Sequence, residues 1–262
     1  MKILRPRPSV NDIIIHANSS KMLEIKDDQA SLILTGPPYF PENVEHFLNE
    51  GTYPDENLNQ FSQNIISYAW ELRSVFEECL RILRPGGHLI LQTRDVRLKD
   101  YLVPVEAVHR EICEALGLTI YTRHFWRPTY ITLSRRRMLK ALAKSSGPVP
   151  FDPEVFLVFK KNGDAYHGEP TTEDLELLQQ DFIKSNPGKL NKRHRHQSPI
   201  SLVNAFIRTY TRAGDLVVDP FAGGGTVAFS AIKLNRLAIT YEIDFDSFNL
   251  ARDNIKILKN EH

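Results

Sequence analysis

Leu216-Val-Val-Asp219-Pro-Phe-Ala-Gly223-Gly-Gly225-Thr226 is the stretch on which the reading of the fold turns. A short apolar run leads through Asp-Pro into three consecutive glycines and then into the amphipathic segment 226–234. The pattern predicts a buried strand, a tight turn and a helix. Consecutive glycines at such a turn let the backbone approach a ligand closely and aim its N–H groups at it. The next predicted strand, 237–242, ends in Tyr241-Glu242-Ile-Asp244. An acid about 20 residues past the turn, at the tip of that strand, is placed to accept hydrogen bonds from ribose hydroxyls. A glycine turn alone also serves as an ordinary strand-to-helix connection. The full run of strand, Asp-Pro-Phe, glycines, helix, strand and Glu is more specific to a nucleotide cofactor. A nicotinamide-binding unit is the competitor, but it usually opens near the N-terminus and reads Gly-x-Gly-x-x-Gly, and this segment does neither.

Outward from this stretch, short apolar runs alternate with amphipathic ones, the signature of an α/β sandwich around a mostly parallel sheet. Strands are predicted at 12–16, 31–35, 88–92, 118–125 and 154–160, and helices at 57–83, 103–116, 198–211 and 245–258. In the first helix Phe61, Ile65, Leu72, Phe76, Leu80 and Leu83 fall at helical spacing. Arg84-Pro-Gly-Gly87 is expected to stop it, because Pro cannot continue a helix and Gly supplies a left-handed turn. Segment 161–196 is polar and punctuated by Gly and Pro, with at most one short helix near 172–183. It reads as an insertion or a substrate-reading element rather than as core.

A second motif, Thr35-Gly36-Pro37-Pro38-Tyr39, follows directly on the predicted strand 31–35. Two prolines set the backbone dihedrals and remove two N–H donors, leaving a rigid turn that presents carbonyl oxygens and an aromatic ring. Such a turn suits the chemistry of an exocyclic base amine, whose lone pair is delocalised into the ring. Oxygens that accept both amine hydrogens favour a pyramidal nitrogen able to attack an electrophilic methyl group. A base taken out of its stack also needs an aromatic surface in exchange.

The two motifs together resemble those of the amino-methyltransferases of DNA. In that family the first strand of the cofactor half ends in a sequence like Asp-Pro-Phe-Ala-Gly-Ser-Gly-Thr, and the second in an acid. The resemblance implies S-adenosyl-L-methionine as cofactor, with Asp219, Phe221, Gly223, Gly225 and Thr226 around its methionine and sulfonium and Glu242 on its ribose. The family's catalytic turn is Ser, Asp or Asn followed by Pro-Pro-Tyr. By that likeness Thr35, Gly36, Pro37, Pro38 and Tyr39 form the catalytic turn, Pro37 offering a backbone acceptor and Tyr39 stacking on the target base. Gly36 stands where the family carries a polar side chain, so Thr35, a water or Asp95 is expected to substitute. An inactive relative is the alternative.

The proline turn precedes the glycine turn, an order that resembles the beta-class enzymes. It implies a doubly wound, mostly parallel, seven-stranded methyltransferase sheet, Rossmann-like and circularly permuted. Strand 12–16 then serves as third strand, and 31–35 as fourth beside the first. Residues 1–125 form the catalytic half, 126–152 a basic insertion, 153–160 a core strand, 161–196 a candidate target-recognition segment and 197–262 the cofactor-binding half. In the family the turn after the third strand resembles Gly-Asp-Ser. Ala17-Asn18-Ser19 takes its place here, so Asn18 is expected near the adenine, and Ser198 matches the remaining cofactor-side motif.

The 262 residues can bury one large core. No apolar run approaches the roughly 20 residues that cross a bilayer, and the charged, Pro-rich start is unlike a secretory signal. A cytoplasmic, non-membrane protein is expected. Cys79 and Cys113 stand in no metal or redox spacing and follow no proline, which disfavours the cysteine nucleophile of C5-cytosine methylation. No metal is expected.

Net charge is only +1, yet residues 127–146 and 184–196 carry cations without a carboxylate. Arg127, Arg135, Arg136 and Arg137 belong to the first, and Lys192, Arg193 and Arg195 to the second. Solvated loops would look the same, but the lack of acidic partners favours docking of a polyanion. The expected partner is double-stranded DNA with a flipped base. The short recognition segments also suit a homodimer, and any restriction endonuclease is expected to be a separate protein. The expected activity is site-specific DNA methylation in a restriction-modification setting, with cytosine N4 favoured because no Asp leads the proline turn. Adenine N6, an RNA substrate and a catalytically impaired DNA-binding relative remain open.

Overall fold

The computed structural model describes residues 13–38, 40, 58–98, 101–128, 140, 153–185 and 198–260. The strands are β1 (Ile14–His16), β2 (Ala30–Thr35), β3 (Leu83–Thr93), β4 (Val96–Leu98), β5 (Tyr101–Val103), β6 (Thr119–Pro128), β7 (Glu154–Lys160), β8 (Ile183–Ser185), β9 (Leu216–Asp219) and β10 (Leu237–Glu242). The helices are α1 (Leu58–Ile82), α2 (Val105–Ala115), α3 (Thr172–Leu178), α4 (Ile200–Tyr210), α5 (Thr226–Lys233) and α6 (Phe245–Asn260). One sheet has the order β1-β10-β9-β2-β3-β7-β6-β8, and β4 and β5 make a separate hairpin. The pairs from β1 through β10, β9 and β2 to β3 are all parallel, whereas β7 runs antiparallel to both β3 and β6.

Both faces of the sheet are covered, and the strands show it by strict alternation. Ile33 of β2, Leu89 and Leu91 of β3, Leu157 and Phe159 of β7 and Val218 of β9 join the core under α1 and α2. Their neighbours Leu32, Leu34, Ile90, Phe156, Val158 and Val217 join the core under α4, α5 and α6. Successive side chains of a strand point to opposite faces, so a strand buried on both sides reads as a continuous apolar run. That is why β2, β3, β7 and β9 are legible from sequence.

The strand after the glycine turn, β10, lies beside β9; β1 lies beside β10, and β2 flanks β9 on its other side. The chain therefore leaves β9 in one direction across the sheet, and β2 and β3 occupy the other. This reversal is the topological switch point, where open α/β sheets hold ligands outside the carboxyl ends of their strands.

Three features differ from the expectation. Residues 84–87 do more than end α1, since β3 starts at Leu83 and carries them into the sheet. Gly86 N donates to Lys161 O and Lys161 N to Gly87 O, both at 3.0 Å. Gly86 has φ +75°, and a Cβ there would lie 1.9 Å from the Asp164 carbonyl oxygen. Helix α2 begins only at Val105, after the β4–β5 hairpin, which no periodicity announced. The main sheet has an eighth strand, β8, where seven were expected.

That eighth strand belongs to segment 161–196, and the described part of this segment is fastened to the core. Ile183 is fully buried, and the Trp126 indole N–H donates to Ser185 O at 3.0 Å. Thr171 and Asp174 form a reciprocal capping box on α3. Both oxygens of buried Asp174 also accept from the Arg208 guanidinium of α4. Burial opposes ionisation of Asp174, but Arg208 and the Thr171 amide outweigh it and hold the carboxyl below its ordinary range. Removing one partner of such a buried pair strands the other charge. Asp174→Ala should destabilise the protein by about 3 kcal/mol in urea unfolding, a loss comparable to those seen when one member of a buried pair is removed.

Candidate functional site at the switch point

The proline turn at the end of β2 and the glycine turn at the end of β9 face one cleft. Thr35, Gly36, Pro37, Gln92, Ser198, Asp219, Phe221, Gly223 and Thr226 all line it. The link between the two turns is a buried hydrogen bond of 2.6 Å from Thr35 Oγ1 to Asp219 Oδ1. The same oxygen accepts the Phe221 amide at 3.0 Å, and Thr240 Oγ1 of β10 donates to the Asp219 carbonyl at 2.8 Å. Burial pushes the Asp219 carboxyl up to about 7, against the opposing pull of Thr35 and Phe221 and with a further push from the charge of Glu242.

The glycine turn itself is held from below and behind. Ala222 N donates to Tyr241 O, and Asn254 Nδ2 of α6 donates to Gly224 O. Gly225 starts α5 in the left-handed region, at φ +78°, where a Cβ would come within 3.0 Å of Ala251 Cβ. Only glycine meets both conditions. Glu242, at the tip of β10, accepts the Gly223 amide at 2.8 Å on one oxygen and the Asp244 amide at 2.9 Å on the other. A carboxylate has about four acceptor positions, so each oxygen keeps one lone pair for a ligand. The adjoining Ile243 is 65% exposed, an apolar surface beside that acid.

The proline turn has its own support. The buried Tyr68 hydroxyl of α1 lies 2.8 Å from both Pro38 O and His109 Nε2 of α2. Burial pushes the His109 imidazole down to about 3, so it is neutral, and its Nδ1 has no partner. One tautomer satisfies this arrangement: Nε2–H donates to Tyr68, whose hydroxyl donates to Pro38 O. Phe40, just after the turn, packs edge-on against the Tyr68 ring at 5.5 Å.

Of the site residues expected from sequence, Thr35, Gly36, Pro37, Ser198, Asp219, Phe221, Gly223 and Thr226 are thus brought to one cleft, with Pro38, Gly225 and Glu242 bonded at its rim. Asn18 lies beyond the end of β1, exposed, with its side-chain oxygen on the Ser20 amide at 2.8 Å. Exposed Arg127 stands near the end of β6, two strands across from β3 at the same sheet edge, in register with Lys184 of β8. Tyr39, Arg135, Arg136, Arg137, Lys192, Arg193 and Arg195 lie outside the described residues. Neither cysteine enters the cleft: both are buried, in α1 and α2, where burial pushes their thiols up. Among the described residues no cluster of His, Cys, Asp or Glu could hold a metal ion.

Three residues were missed. Tyr68 and His109 look like ordinary core positions of two helices, and nothing local separates them from packing. Gln92 carried a weak signal, a polar side chain closing the apolar run 88–92, and in the fold it is 4% exposed and faces the cleft.

A two-sided α/β sheet with a nucleotide-type turn and a rigid proline turn in one switch-point cleft defines a class of cofactor-dependent transferases. Within that class the chain belongs to the DNA methylase family of N6 and N4 amino-methyltransferases, whose model matches residues 30–253. The Type II methyltransferase M.BglII of Bacillus subtilis is 27% identical over 94% of this chain and 69% of its own length. The PvuII DNA methyltransferase (cytosine-N4-specific) shares the fold with a TM-score of 0.71 at 17% identity, over 95% of this chain and 91% of its own. TTHA0409 of Thermus thermophilus, solved in complex with S-adenosyl-L-methionine, does so with a TM-score of 0.70 at 20% identity, over 94% and 93%.

Two measurements probe this site. A carboxyl whose folded pKa is raised stabilises the protein below its unfolded value and loses that contribution as the pH climbs through the folded one. Stability should therefore decline as the pH rises from the ordinary carboxylate range to about 7, and Asp219→Asn should flatten that part of the curve in denaturation at stepped pH. Tyr68→Phe keeps the ring packing and leaves Pro38 O unpaired. It should lower the urea-unfolding free energy by about 1–2 kcal/mol.

Proposed function

We propose that this chain methylates an exocyclic amine of double-stranded DNA, with cytosine N4 as the favoured acceptor and S-adenosyl-L-methionine as donor. The observation that carries the reading is the single cleft shared by the glycine and proline turns, clasped by Thr35 and Asp219. The cleft's residues fit the cofactor. Glu242 keeps lone pairs for two ribose hydroxyls, Ile243 offers an apolar surface for the adenine, and the Gly223–Gly225 backbone permits close approach. Asp219, Phe221 and Thr226 then surround the methionine end, with Asn18 and Ser198 at the two flanks.

The cofactor supplies an electrophilic methyl group on sulfur; the amine nitrogen bonds to it, the carbon–sulfur pair stays on sulfur, and an amine proton leaves to water. The chain's part is positioning. Pro37 O accepts one amine hydrogen, and Tyr39 stacks on the flipped base. Arg127 and Lys184, side by side at the catalytic edge, take DNA phosphates together with Arg135, Arg136, Arg137, Lys192, Arg193 and Arg195. Segments 126–152 and 161–196 read the target between the catalytic half 1–125 and the cofactor half 197–262. The order of the two turns along the chain supports a circular permutation of the methyltransferase sheet. A cytoplasmic homodimer serving a separate restriction endonuclease fits the short recognition segments, and no described helix is long and apolar enough to cross a membrane.

The test is to incubate the protein with double-stranded DNA and labelled S-adenosyl-L-methionine, then identify the modified nucleoside by mass spectrometry. N4-methylcytosine is expected. N6-methyladenine would correct the base, and cofactor binding without any methylated nucleoside would point to a non-catalytic DNA-binding relative.

A further inference from the structure

An exocyclic amine carries two N–H donors, and a nitrogen held pyramidal for attack needs an acceptor for each. The proline turn supplies one through Pro37 O, and Gly36 has no side chain to supply another. Among the neighbouring oxygens, Thr35 Oγ1 turns its hydrogen to Asp219, while Pro38, which accepts from Tyr68, and Asp95, which accepts the Glu106 amide of α2 at 3.0 Å, are not among the residues lining the cleft.

Gln92 remains. It closes the apolar core of β3 one strand over from Gly36, is buried, and lines the cleft with Gly36, Pro37 and Ser198. A Cβ placed on Gly36 would meet Gln92 Cβ at 3.8 Å, so Gln92 adjoins the space that a side chain at 36 would enter. Its amide orientation is set by its partners. Nε2 donates to the Glu154 carboxylate, which when ionised can only accept, and Oε1 therefore faces Ser198, whose hydroxyl donates to it. An sp² oxygen has a second lone pair, and a carboxylate pulling on the amide's N–H strengthens that oxygen as an acceptor.

We infer that Gln92 Oε1 accepts the second hydrogen of the target amine, replacing the group that Gly36 lacks, with Glu154 and Ser198 as its positioning residues. The inference rests on the methyl-transfer reading above. Gln92 is then the catalytic residue on the β3 side of the cleft, and Pro37 its counterpart on the β2 side. Gly36 becomes the consequence of an acceptor moved to the neighbouring strand rather than the mark of an inactive enzyme.

The experiment measures single-turnover methylation of double-stranded DNA at saturating S-adenosyl-L-methionine, alongside cofactor Kd. Gln92→Met keeps the chain length and offers only a weak acceptor; Gln92→Leu is the second variant should the first fail to fold. Either should transfer methyl on the order of 100-fold more slowly, the cost of losing one preorganised polar partner, with Kd within about twofold of wild type. Adding Gly36→Asn to either variant should recover at least about tenfold, because the backbone there is outside the left-handed region and a new Cβ meets only ordinary contacts. A transfer rate near wild type in the Gln92 variants, or no recovery from Gly36→Asn, overturns the inference. Absence of methylation by the wild-type protein would instead overturn the reading on which it rests.

Discussion

The hydrogen bond from Thr35 to Asp219 joins residues 184 positions apart in the chain and spans the switch point between β2 and β9. It holds the end of β2 against the end of β9, and both turns of the cleft continue from these two residues. A buried carboxyl is costly, and this one is tolerable because Thr35 and the Phe221 amide both donate to it. The bond therefore serves packing and function together. The β2–β9 ladder sets the two strand tips side by side, and this bond fixes the turns that continue from them against each other.

The other polar groups at the strand tips repeat this arrangement. Tyr68 and His109 steady Pro38, Asn254 steadies the glycine turn, and Glu154 with Ser198 orients Gln92. Each works in a region of low dielectric, where a satisfied network is rigid and an unsatisfied group is expensive. Catalysis by positioning needs such rigidity, since the chemistry of methyl transfer is carried by the cofactor and the protein's contribution is geometry. Parallel strands ending at one edge bring the tips of β1, β2, β3, β9 and β10 together.

Much of this was legible in the residues. The apolar runs of β2, β3, β7 and β9 announce strands buried on both faces, and Asp219 to Thr226 announces a turn that only glycines can make. The placement of β1 beside β10 and β2 beside β9 followed from the order of the two motifs. What escaped was decided by partners distant in sequence. Residues 84–87 carry every local sign of a helix stop, yet pair with Lys161 and enter the sheet. Ile183 sits in a polar segment and reads as surface, yet fills the core beneath β6. The β4–β5 hairpin is too short for any period to show.

The chain by itself determined the class of fold, the cofactor-type turn and the proline turn, because these depend on periodicity and on residues with unusual backbones, which act locally; the family came from the resemblance of the two motifs. Tertiary structure alone decided that Thr35's hydroxyl hydrogen goes to Asp219, that Asp95 accepts the Glu106 amide of α2, and that Gln92 lines the cleft beside Gly36. A hydrogen bond has a direction and a limited number of partners, and which oxygen keeps a free lone pair is known only once every neighbour has been placed.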